Sequence, residues 1–371
     1  MIYREQDVLR LARRWKNAKR SYLLVDPLQG KHVPVSPQAA LAMMRSLGTL
    51  LLREAGDAGL LIGFAETATA ISGAAALCFG AELQYLQTTR ESCGDVRMLE
   101  FAEEHSHAVT QQIASAPLAA LRTRRIIMID DEISTGRTIE NIIAVLRREF
   151  PALRETAFVI GSIICRLSEE RRRALSEQNI RFVSLVPVAD RDFESAVSGM
   201  DAEPPVMAER SDLPYTTYHA QCPLPAFRTG TNAGTMQTAL DRFAAECGSY
   251  LEEKLPSAGR ILLLGTEECM LPAMMTGQYL ETHCPGLSVF THATTRSPIG
   301  ICRAEGYPCP NGVQLASFYE AERVNYLYNI RDYDAVVVVT DSTDDAQCRL
   351  AMQYLAGAFP QHCNTFYLIR G

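Results

Sequence analysis

Six segments of this chain are runs of apolar residues that do not alternate with polar ones. They are "LLIGF" (60–64), "RIIMID" (125–130), "FVIGSIIC" (158–165), "RFVSLVPV" (181–188), "RILLLG" (260–265) and "VVVVTD" (336–341). A strand with one face in water alternates apolar and polar residues. A strand covered on both faces reads as an unbroken apolar run, and such strands belong to parallel sheets sandwiched between helices. Between the runs lie helical patterns such as "IENIIAVLRREF", apolar at Ile139, Ile142, Ile143 and Leu146. The alternation predicts an α/β chain built on Rossmann-like parallel sheets. Residues 189–234 interrupt it with "AEPPVMAERSDLP", "CPLP" and "RTGTNAG", which read as turns and linker. The rhythm then resumes with helices around 236–254 and 270–282 and a last strand "NTFYLI". Two α/β domains are therefore expected, 1–205 and 206–371, and 371 residues suffice for both cores.

Composition narrows the function classes. The net charge of −7 argues against a nucleic-acid partner, and no apolar run has the length of a membrane span. The N-terminal stretch is too interrupted by charge to be a signal peptide. Val8, Leu9, Leu11 and Trp15 instead predict a short amphipathic docking helix. The eleven cysteines include no Cys-x-x-Cys, and the pair Cys302 and Cys309 has no histidine spacing beside it. A zinc site is not expected, and scattered thiols suit the cytoplasm.

"IIMIDDEISTGRT" (126–138) ends a buried strand in acids followed by small hydroxyl residues. The chain contains neither a Walker loop nor Gly-x-Gly-x-x-Gly. Asp130, Asp131 and Glu132 alternate across a strand, so the three do not simply converge on one metal ion. A phosphate loop fits better. Backbone N–H groups at the start of a helix near Thr138 attract an anion, with Ser134, Thr135 and Thr138 as further donors and Gly136 allowing close approach. Arg137 adds charge. Asp130 and Asp131, about one sugar away, would accept hydrogen bonds from vicinal hydroxyls. A ribose 5-phosphate has both features.

The stretch resembles the PRPP-binding signature of type I phosphoribosyltransferases. With "GFAETATA" (63–70), "TTRE" (88–91), "EEHSHA" (103–108), "GTEE" (265–268) and "TTRSP" (294–298), nearly the whole chain resembles an orotate-type phosphoribosyltransferase domain followed by a TRSP domain. That pair is associated with tellurite-resistance gene clusters. The resemblance implies a cytoplasmic enzyme of nucleotide metabolism that moves phosphoribose from PRPP, with Mg2+ carried near Asp130 and Asp131, to a small, nucleobase-like acceptor. It assigns Ala65, Glu66, Thr67, Ala68 and Thr69 to a pyrophosphate loop. Arg90 would take pyrophosphate oxygens, and His105 or His107 on the mobile catalytic loop would protonate the leaving group or bind the acceptor. Lys31 and His32 would help recognise the acceptor. Hypoxanthine-guanine enzymes carry an Asp two residues before the loop glycine; Ser134 stands here, which favours an orotate-like or unusual acceptor. A homodimer is expected, with other enzymes of the cluster as further partners and neither nucleic acid nor membrane. A PRPP-sensing regulator and a scaffold are the rival readings.

The second half repeats the order of signals. "LLIGFAE" is answered by "LLLGTEE", "TTR" recurs at 294–296, and "AVVVVTDSTDD" stands where "RIIMIDDEISTG" did. This order suggests a diverged duplication. Thr295, Arg296 and Ser297 are then expected to line a second site at the C-terminal ends of parallel strands.

Overall fold

The computed structural model describes residues 2–15, 20–101, 111–359 and 363–371. The chain divides into two compact units. One comprises Met1–Glu5, Ala42–Arg191 and Pro225–Thr238; the other comprises Gln6–Leu41, Asp192–Leu224 and Ala239–Gly371. Among the described residues no helix is long and apolar enough to cross a membrane.

The first unit is built on a six-stranded sheet. Its order is Thr231–Asn232, Gln84–Gln87, Leu60–Gly63, Arg125–Ile133, Ala157–Cys165, Ile180–Pro187. All neighbours are parallel except the short first strand. The apolar runs explain the burial: Leu60, Ile62, Ile126, Met128, Phe158 and Ile160 share one core cluster with Ile139, Ile142, Ile143 and Leu146 of the helix Arg137–Glu149. Burying each such side chain is worth about 1.5–3 kcal/mol. Strand order reverses between Leu60–Gly63 and Arg125–Ile133, so the loops leaving their C-terminal ends diverge and open a crevice.

The second unit holds a five-stranded, wholly parallel sheet. Its order is Tyr215–His219, Phe366–Arg370, Ala335–Thr340, Gly259–Gly265, Leu287–Ala293. Its faces are covered separately. Leu262, Leu264, Val336 and Val338 belong to one core, while Ile261, Leu263, Val337 and Val339 belong to another. This is why the valine run shows no alternation. A hairpin, Gly312–Ala316 with Val324–Tyr328, follows the strand Leu287–Ala293. Inside it, His292 Nε2 lies 2.7 Å from the Tyr328 carbonyl. Burial drives this imidazole down to about 4. Between pH 6.5 and 4 the unfolded chain binds a proton that the folded chain refuses. Stability should therefore be full above pH 6.5 and fall towards pH 4, by up to roughly 3 kcal/mol. Urea midpoints at pH 7.5 and 5 should differ less in His292→Gln than in the wild type.

Two expectations are corrected. The N-terminal segment is helical only over Glu5–Val8; Arg10–Arg13 is a strand paired antiparallel with Tyr22–Val25. Four backbone pairings to a distant partner outweigh a short amphipathic period. Residues 189–234 are not merely linker. They supply the helix Phe193–Ser198 and three sheet-edge strands, Val206–Met207, Tyr215–His219 and Thr231–Asn232.

Candidate active site

Gly63 pairs with Gln87 on one side and Ile129 on the other, so two strands of the first unit end at the level of Ile129, while the third continues through the acids to Ile133. The loop after Gly63 and the acids after Ile129 are joined: Thr67 Oγ1 donates to Asp131 Oδ1 at 3.0 Å. Asp130 Oδ1 accepts from the Asp131 N–H at 2.9 Å. Both aspartates are partly exposed. The Ala65 N–H donates to Thr88 Oγ1 at 2.8 Å, and Thr88 Oγ1 in turn donates to Gln111 Oε1 at 2.5 Å. Glu66 and Thr69 are buried, and the Ala65–Glu66 peptide is cis. Ala68 is the N-cap residue of Thr69–Ala76 and is fully buried. Arg90, partly buried, follows the Thr88–Thr89 pair. His105 and His107 lie outside the described residues.

Ser134, Thr135 and Gly136 form the loop that opens the helix at Arg137. The N-cap residue, Gly136, has no side chain to cap this N-terminus, and the Arg137 N–H donates to Thr135 Oγ1 at 3.4 Å. The helix's leading N–H groups therefore remain the natural seat for an oxyanion. Thr135 and Arg137 are exposed, and Ser134 and Thr138 partly so. Arg171 Nε donates to the Thr135 carbonyl at 3.3 Å and its guanidinium pairs with Glu140. Burial pushes the Glu140 carboxyl up, but hydrogen bonds from Arg171 and Gln178 leave it below its ordinary value.

Gly136 is glycine for a reason the sequence did not reveal. Its φ is +73°, and an added Cβ would meet Leu175 at 3.3 Å and Leu167 at 3.4 Å. The residue is demanded by its own backbone and packing. Gly136→Ala should cost about 1–2 kcal/mol of stability. Arg137→Ala, at an exposed position, should stay within about 0.5 kcal/mol. Equal chemical-denaturation midpoints for the two variants would contradict this.

Glu132 is taken out of any metal or sugar role. Arg166 Nε donates to its Oε1 at 3.0 Å, and Arg166 Nη1 donates to Asp190 at 2.8 Å. Both Arg166 and Glu132 side chains are under a tenth exposed. Among the described residues no group of three or more His, Cys, Asp or Glu side chains could hold a metal.

The other predicted residues all belong to the second unit. Lys31 and His32 are buried there, with Lys31 Nζ donating to the carbonyls of Glu267 (3.2 Å) and Thr294 (3.3 Å). A buried ammonium shared between two carbonyls serves as a structural tie. The "TTRSP" turn is also held tightly. Thr295 pairs with Tyr326, the Ser297 N–H donates to Thr295 Oγ1 at 3.1 Å, and Tyr328 Oη donates to the Ser297 carbonyl at 2.8 Å. Arg296 Nε donates at 2.7 Å to Glu267, a residue the sequence did not single out for a role of its own. Glu267 is wholly buried with a left-handed backbone (φ 46°). Close by, Tyr319 Oη bonds Asp341 (2.6 Å) and Thr266 Oγ1 (2.7 Å). Arg296 thus reaches the Thr266–Glu267 turn that follows Gly265 directly, and Asp341 is linked to it through Tyr319.

Comparison with known proteins agrees with this picture. The family described as phosphoribosyl transferase matches residues 8–197, and the TRSP domain found C-terminal to it matches residues 227–355. A search of curated proteins found no match. Among solved structures, adenine phosphoribosyltransferase from Giardia lamblia, complexed with 9-deazaadenine, is similar at 17% identity and TM-score 0.38, covering 49% of this chain and 94% of that one. Orotate phosphoribosyltransferase from Aeropyrum pernix is similar at 17% identity and TM-score 0.31, covering 48% of this chain and 88% of that one. Through the match that spans half its length, the chain belongs to the phosphoribosyltransferase family, with a TRSP domain following the transferase domain.

Proposed function

We propose that the first unit transfers the phosphoribosyl group of PRPP to a nucleobase-like acceptor and releases pyrophosphate. The observation that carries this reading is the helix N-terminus at Gly136, whose N-cap residue has no side chain of its own, next to the paired acids Asp130 and Asp131. Donors for a 5-phosphate and acceptors for ribose hydroxyls are thereby offered about one sugar apart. Thr67 ties Asp131 to the loop 65–69, which with Arg90 would receive the pyrophosphate. The donor set suits Mg2+ that arrives with PRPP: two partly exposed carboxylates at one strand end, without a third protein ligand. When bound, that ion would neutralise charge on the pyrophosphate.

The residues of the chain would act by positioning and charge. The bond from ribose C1 to pyrophosphate oxygen breaks, and its electron pair leaves with pyrophosphate. A lone pair on an acceptor nitrogen forms the new bond on the opposite face, and the acceptor gives up a proton. His105 or His107 would donate a proton to the departing pyrophosphate.

The test is pyrophosphate release from PRPP and Mg2+ with a panel of purine and pyrimidine bases and a fractionated cell extract. Acceptor-dependent release supports the proposal. Saturable PRPP binding without release from any mixture would favour a sensor, and absence of PRPP binding would sink both readings.

A further inference from the structure

The two units share more than a fold class. In the first, Leu60–Gly63, Gln84–Gln87, Arg125–Ile133 and Ala157–Cys165 lie side by side in the order second, first, third, fourth. In the second, Gly259–Gly265, Leu287–Ala293, Ala335–Thr340 and Phe366–Arg370 take the same order. Each unit inserts an antiparallel hairpin between its second and third strands. Single hydrogen bonds repeat as well. The Thr88 N–H donates to Gly63 (2.8 Å) as the Thr294 N–H donates to Gly265 (3.0 Å). The Ala65 N–H donates to Thr88 Oγ1 (2.8 Å) as the Glu267 N–H donates to Thr294 Oγ1 (3.0 Å). Thr89 bridges to Gln112 as Thr295 bridges to Tyr326. By these bonds Glu267 is the counterpart of Ala65, and Arg296 is the counterpart of Arg90.

The chemistry at the matched positions differs in one consistent way. Ala65 ends in a methyl group. Glu267 ends in a carboxylate that accepts from Ser317 Oγ (2.5 Å), Asn325 Nδ2 (2.6 Å), Arg296 Nε (2.7 Å) and Arg323 Nη1 (3.1 Å). Two guanidinium groups, an amide and a hydroxyl converge on one buried anion. The helix that follows the third strand shows the same change. The N-cap residue of Arg137–Glu149 is Gly136, without a side chain, whereas the N-cap residue of Asp345–Ala358 is Asp344, whose carboxylate accepts from the Gln347 N–H at 2.9 Å.

We propose that the second unit is a duplicated phosphoribosyltransferase-type unit whose phosphate positions are filled by its own carboxylates. Glu267 takes the pyrophosphate position and Asp344 the 5-phosphate position. Arg296, Arg323, Ser317 and Asn325 then form an oxyanion cage whose resident ligand is the Glu267 side chain, and the chain has one PRPP site. The meaning of the two positions rests on the transferase reading of the first unit; the cage itself does not.

Glu267→Ala empties the cage. Its denaturation midpoint, and its refolding yield if the variant is recovered only unfolded, is measured against acetate, inorganic phosphate and pyrophosphate, with chloride at matched ionic strength. Acetate or phosphate is expected to raise the folding equilibrium constant of this variant at least tenfold, saturably, with no such response in the wild type or with chloride. Glu267→Gln, which leaves the cage filled, should gain nothing from added anions. Failure of every oxyanion to rescue Glu267→Ala overturns the cage. Separately, calorimetry with PRPP and Mg2+ should give one PRPP per wild-type chain and none in the variant Asp130→Asn with Asp131→Asn. Two per chain, or residual binding in that variant that Arg296→Ala removes, overturns the proposal and leaves the transferase reading intact. Zero in the wild type removes the transferase reading, and the anion rescue still decides the cage.

Discussion

Replacing both Asp130 and Asp131 by asparagine is expected to abolish measurable PRPP binding while leaving the denaturation midpoint nearly unchanged. Each carboxylate would replace water around a ribose hydroxyl with a charge-assisted hydrogen bond, worth about 1.5–3 kcal/mol. Losing both charges should weaken affinity by roughly a hundredfold to ten-thousandfold. The fold should not notice. An amide oxygen in place of Asp131 Oδ1 can still accept from Thr67, and one in place of Asp130 Oδ1 can still accept from the next backbone N–H. Thr67 and the Asp131 N–H are partners that the amides can keep. Calorimetry that finds PRPP affinity within tenfold of the wild type would refute the assignment.

The other large effect concerns stability. Arg166→Met should cost about 3–5 kcal/mol, because it leaves the Glu132 carboxylate buried without its guanidinium partner. Adding Glu132→Leu should recover most of that loss, since two apolar side chains of similar volume replace a desolvated ion pair. Urea titrations of the single and double variants measure this coupling. PRPP affinity in the double variant should match the wild type; a loss confined to binding would return Glu132 to the ligand-facing set.

The parts of this molecule that the sequence revealed are the local ones. A strand buried on both faces must be written as an unbroken apolar run, so the central strands were legible from runs such as Val336–Val339. A loop that opens a helix is a single continuous turn, so Ser134, Thr135 and Gly136 could be picked out without knowing their neighbours. Partners brought from elsewhere could not. Arg166 lies 34 residues beyond Glu132, on the strand end next door. Glu267 stood in plain view in "GTEE", yet Ser317, Arg323 and Asn325 reach it from a hairpin about 50–58 positions later. The apolar spacing of Val8, Leu9, Leu11 and Trp15 suggested a helix because periodicity says nothing of the strand Tyr22–Val25 that claims the backbone of Arg10–Arg13. Gly136 was singled out for closeness to an anion, whereas its left-handed φ and its leucine neighbours are reasons for glycine that only the folded chain shows.

The second unit draws on Gln6–Leu41, Asp192–Leu224 and Ala239–Gly371, and its edge strand Tyr215–His219 precedes in sequence the strands it joins. That threading sets an order of events during synthesis. The first unit is complete in sequence once Thr238 has left the ribosome. Tyr215–His219 must wait for Phe366–Arg370, its sheet neighbour among the described residues. At elongation rates of about 5–20 residues per second that wait is on the order of ten seconds. Through it an unpaired strand, and the segment Gln6–Leu41 of the same unit, remain open to chaperones and to other nascent copies of the chain.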